Sequence, residues 1–97
     1  MKIYTLTEFN ESGCKYFANF TSMETYIRKN INPKDNMIDI SGKREKIELT
    51  AENLERLYND SKAENGDNFG VCFWATQDFG FSQIETEYII GTIDVAE

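Results

Sequence analysis

The spacing of apolar and polar residues changes along this chain, and each change marks an element. From Ile3 to Phe9 β-branched and aromatic residues alternate with polar ones, Asn10-Glu11-Ser12-Gly13 supplies turn chemistry, and a second apolar run extends from Cys14 to Phe20. Two such runs around a turn predict a β-hairpin. Thr21-Ser22-Met23-Glu24 then has the Thr-x-x-Glu spacing of a capping box, which predicts a helix start. Met23, Tyr26, Ile27 and Ile31 follow at helical spacing, and Asn32-Pro33 ends the helix because proline disfavours the α conformation in the residue before it.

The same layout recurs downstream. Met37 to Ile40 and Lys46 to Leu49 flank Ser41-Gly42-Lys43-Arg44-Glu45 and predict a second hairpin, with Ile38 and Ile40 opposite Ile47 and Leu49. Thr50 caps a second helix of about 12 residues, whose stripe is Ala51, Leu54, Leu57 and Tyr58 and whose stop is Asn65-Gly66. Phe69 to Thr76 is apolar on both sides, Phe69, Val71, Phe73 and Ala75 on one and Cys72 and Trp74 on the other, as in a central strand. A last strand covers Ile84 to Val95, with Gly91 read as a bulge or bend.

The order is ββαββαββ, a coarse repeat of a ββα layout without a sequence repeat. It implies an α+β domain, an antiparallel sheet of about five or six strands with two helices packed on one face. Two helices cannot cover both faces of so wide a sheet, so one face is expected to stay open and to carry Glu85, Glu87 and Trp74. At 97 residues and 40% apolar content the chain forms one domain over residues 1–97, with enough apolar surface for a core. The start, Met1-Lys2-Ile3-Tyr4-Thr5-Leu6-Thr7-Glu8, has no apolar segment of the kind a secretion signal uses, which predicts a cytoplasmic protein of a bacterium or phage-infected cell. Cys14 and Cys72 are accordingly expected as reduced, mostly buried thiols.

Chemistry is limited by what the chain lacks. It has no histidine, and so neither the commonest general base nor the commonest metal ligand. Two isolated cysteines do not make a zinc site, and no glycine-rich phosphate loop is present, so no metal, no cofactor and no enzyme activity are expected. Glu85 and Glu87 fall on one side of a strand, which is how a solvated face usually looks. Lys43-Arg44-Glu45-Lys46 reads as a solubilising turn, so neither direct nucleic-acid binding nor membrane binding is expected.

Charge is divided unevenly. Residues 1–50 carry eight Lys/Arg and seven Asp/Glu, a net of +1, while residues 51–97 carry two and ten, a net of -8; together they give the chain's -7. Such acidity keeps many ordinary bacterial domains in solution. It also projects a field that attracts basic proteins, because carboxylates can occupy Lys/Arg sites that otherwise hold phosphates. The function expected is therefore a protein-binding module, an inhibitor or decoy of a basic nucleic-acid-handling protein, of the type of anti-CRISPR and antirestriction proteins in size and charge but without a motif that assigns it to them. The candidate partner-binding residues are Glu64, Asp67, Trp74, Asp78, Phe79, Phe81, Glu85, Glu87 and Asp94. Two alternatives are an immunity or regulatory protein that binds through an aromatic patch of Trp74, Phe79, Phe81 and Tyr88, and a small-molecule-binding domain.

Overall fold

The structure, a computed structural model, describes residues 1–9, 11, 13–31, 33–40, 45–65, 71–78, 80 and 82–96; of Lys34, Glu64, Asn65, Val71 and Asp78 it describes the backbone alone. Six strands form one antiparallel sheet: β1 (Lys2–Glu8), β2 (Lys15–Phe17), β3 (Met37–Ile40), β4 (Lys46–Glu48), β5 (Val71–Asp78) and β6 (Gln83–Asp94). Two α-helices, α1 (Phe20–Tyr26) and α2 (Ala51–Asn65), pack together on one face. The sheet order is β2-β1-β6-β5-β3-β4. Each ββα unit thus sets its first strand against the central β5–β6 pair and its second strand at an edge. The repeat suggested by the layout becomes a pseudo-twofold arrangement about that central pair.

Strand alternation sorts side chains cleanly between the two faces. Tyr4 packs on Phe20 and Tyr58, with ring centroids 4.3 and 5.6 Å away, and the Tyr58 hydroxyl lies 3.1 Å from Thr92 Oγ1, which fixes these positions on the helix side. Leu6, Ile38, Phe73, Ala75, Tyr88 and Ile90 share that side and are buried. Met23, Ile27 and Ile31 from α1 and its continuation, and Leu54, Leu57 and Tyr58 from α2, close over them. Of the helix stripes read from the sequence, these six residues are buried, while Tyr26 and Ala51 pack half-buried against them.

Several local expectations are corrected. The cap of α1 is Asn19, whose Oδ1 accepts from the Ser22 amide at 2.8 Å, and the helix begins at Phe20, which the sequence reading gave to the second strand. Glu24, assigned to a capping box with Thr21, instead crosses to the other helix: its Oε1 accepts from the Ala51 amide at 2.5 Å and its Oε2 from Arg28 Nε at 3.2 Å. A carboxylate there faces the positive end of the α2 dipole and satisfies an amide that the first turn leaves free. After Tyr26 the helix continues as a π-helical segment, Ile27–Ile31, before a short 3-10 turn at Lys34–Asn36.

Gly91 marks no bulge. The β1–β6 register runs unbroken from Lys2↔Asp94 to Glu8↔Tyr88, and Gly91 lies opposite Thr5. A Cβ at Gly91 would stand 3.0 Å from Thr5 Oγ1, so the glycine answers a close cross-strand approach. The Thr50 cap does form, its Oγ1 accepting from the Asn53 amide at 3.0 Å, and α2 runs 15 residues against the 12 expected. The turn at 41–44 and the residues 66–70, including Phe69, lie outside the described residues.

Candidate functional site on the open sheet face

The face away from the helices has no layer over it among the described residues. Along its centre run the pairs Ile3↔Ile93, Thr5↔Gly91 and Thr7↔Ile89, extended at one end by Met1 and Val95, whose backbones exchange two hydrogen bonds. Tyr16 on β2 lies beside Thr5. Ile93 and Val95 are exposed and Tyr16 is 62% exposed, so this half is an apolar surface in contact with water.

The other half differs. Pairing across β6, β5, β3 and β4 aligns Glu87, Trp74, Asp39 and Lys46 in one cross-strand row. Strands about 4.8 Å apart set the two carboxylate-bearing positions about 10 Å from one another with the indole between them. The next row on the same face contains Glu85 and Thr76 and is continued by Met37 and Glu48. Glu85 and Glu48 are exposed, while Trp74, Asp39 and Glu87 are half-buried. None of these four carboxylates forms an ion pair with a described residue.

Cys72 lies diagonally beside Glu87 on this face. Burial, then the charge of Glu87, then a hydrogen bond to Glu87 push its thiol above the ordinary cysteine range. Protonated, it is a donor for the carboxylate and a poor nucleophile. Both cysteines are free and half-buried, less enclosed than the sequence implied.

The residues singled out from the sequence do not form one group. Glu85, Glu87 and Trp74 lie together. Asp94 is nine positions beyond Glu85 on the same strand, about 30 Å away, and of opposite parity, so it projects from the other face. Glu64 stands near the end of α2 and Asp78 at the end of β5, both as backbone positions only, while Asp67, Phe79 and Phe81 lie outside the described residues. Tyr88, a candidate anchor in the aromatic-patch reading, is core: it is 6% exposed and stacks on Phe73 with ring centroids 5.5 Å apart. Burial, with the nearby Glu8 charge and Tyr26 adding to it, pushes its phenol up to about 12.

Asp39 and Glu48 were missed. Summing charge by halves of the chain hides them in the nearly neutral first half, and only the β5–β3 pairing brings them beside Trp74. On the helix side, a cleft of about 500 Å³ beyond α1 is lined by Glu8, Lys15, Tyr26, Gln77 and Tyr88 among others. Among the described residues, no group of three or more His, Cys, Asp or Glu side chains is arranged to hold a metal ion, and no helix is long and apolar enough to cross a membrane. Comparison with protein-family models, with curated proteins and with solved structures gave no match.

Proposed function

We propose that this chain is a non-enzymatic protein-binding module that inhibits a basic, nucleic-acid-handling protein by docking the open face of its sheet onto it. The observation that carries the reading is the composition of that face: a half-exposed Trp74 among Asp39, Glu48, Glu85 and Glu87, continuous with an apolar stripe along β1 and β6. An aromatic anchor beside water-excluding apolar residues is what a binding hot spot requires. Carboxylates with no ion-pair partner among the described residues select a basic counterpart and speed its approach. They can also take the place of phosphates on its surface. Trp74, the one anchor of the aromatic-led reading that lies on this face among the described residues, stands beside the acids Glu85 and Glu87 of the charge-led one.

The test is capture from bacterial lysate over a salt series, followed by competition on the purified partner. A single basic nucleic-acid-binding protein should be retained at low salt and released at high salt, and added chain should displace its DNA or RNA. A partner that binds chain and nucleic acid simultaneously would contradict the decoy role.

A further inference from the structure

We infer that the row Glu87–Trp74–Asp39 is a seat for an arginine side chain presented by the partner. This rests on the protein-binding reading above and specifies its contact. A guanidinium laid on the indole face would have a carboxylate on each side, and it can stack on the ring while donating hydrogen bonds to either acid. Lysine suits the place less well. Its compact, strongly hydrated ammonium cannot stack as a plane and makes no two-pronged contact with a carboxylate.

Other occupants fit worse. Phosphates would meet four carboxylates and a single described basic neighbour on the face, Lys46 at the edge strand. A divalent ion such as calcium needs about six or more converging oxygens, whereas these acids are spread over β3, β4 and β6 and project in parallel from the sheet. A second copy docking face to face would set the same acids against one another in a chain of net charge -7. A surface of opposite sign, with an arginine at its centre and apolar residues for the β1–β6 stripe, satisfies both halves of the face.

Trp74 is the chain's sole tryptophan, so its emission reports this position alone. The probes are short tri-arginine, tri-lysine and tri-citrulline peptides, titrated at low salt against wild type, Asp39→Asn, Glu87→Gln and Trp74→Phe, each variant checked by thermal melting. Wild type should show a saturable change in emission with tri-arginine, a several-fold weaker affinity for tri-lysine, and no response to neutral tri-citrulline. Asp39→Asn and Glu87→Gln should each lose about tenfold in affinity for tri-arginine, from the loss of one charged hydrogen bond. Trp74→Phe, followed by calorimetry, should lose the preference for arginine over lysine. If arginine and lysine bind alike, and neither acid nor ring matters, the arginine seat is overturned while the basic-partner reading stands. If no cationic peptide binds, or the chain instead dimerises through this face in sedimentation, both are overturned.

Discussion

The two faces of this sheet are built from alternating residues of the same strands, and they resolve the same chemistry differently. On the helix side the rings meet in three groups, Tyr4 with Phe20 and Tyr58, Phe17 with Tyr26, and Phe73 with Tyr88, between the sheet and the two helices. On the open side Trp74 and Tyr16 meet water, and carboxylates stand beside Trp74 where rings would otherwise pack. A ring surrounded by other rings stabilises the fold. One set among carboxylates that form no ion pair with a described residue adds little to stability and is available to another molecule. Phe73 and Trp74 are adjacent in sequence yet belong to these opposite regimes.

The sharpest way to break the comparison is to truncate both neighbours. Phe73→Ala should cost about 3–5 kcal/mol, since Phe73 is 0% exposed and its removal leaves a cavity under the helices. Trp74→Ala should cost about 1 kcal/mol and abolish partner binding. Urea unfolding and binding of the two variants provide the check. Equal stability losses would erase the distinction between the faces.

Glu24→Ala should come next, at about 1–3 kcal/mol, because it leaves the Ala51 amide and Arg28 without their acceptor where the helices meet. Glu24→Gln, which keeps an acceptor, should recover part of that loss in the same urea series. This contact shows why the sequence was legible in part. Thr50 at the start of α2 acts locally, on an amide three residues away, and was read correctly. Glu24 sits at a local capping distance too, but its carboxylate serves a helix 27 residues further on, which spacing cannot reveal.

The candidate site was legible to the same degree. Glu85, Glu87 and Trp74 follow from strand alternation, which any strand shows in its own sequence. Asp39 joins them only because β3 pairs with β5 across the intervening α2, a property of strand order and not of pattern. Asp94 was grouped with Glu85 because both belong to an acidic half of the chain, although a strand of odd separation sends them to opposite faces. Charge summed along a sequence carries no face.

Gly91 offers a finer test of how closely the sheet is fitted. Gly91→Ala should be close to neutral alone, within about 0.5 kcal/mol, because the gain of a strand side chain is offset by the contact with Thr5 Oγ1. In a Thr5→Ala background the same change should stabilise by about 0.5–1 kcal/mol, and a double-mutant cycle reads the coupling. The smallest effect at neutral pH belongs to Tyr88. Its folded pKa of about 12 lies above the unfolded value near 10, so the unfolded state releases its proton first. The contribution is fully present below about pH 10 and is lost as pH rises through about 12. Tyr88→Phe should leave stability near pH 7 little changed and flatten the decline across that alkaline window, as followed by urea midpoints at each pH.

The central claim is that binding belongs to the open face and stability to the covered one. Its most direct test is the Asp39→Lys/Glu87→Lys variant, with melting temperature and partner retention measured side by side. The account predicts a melting temperature within about 5 °C of wild type, as for surface changes of about 1 kcal/mol or less, together with loss of the basic partner. Retention of that partner by a folded variant with two charges reversed at Trp74 would contradict it.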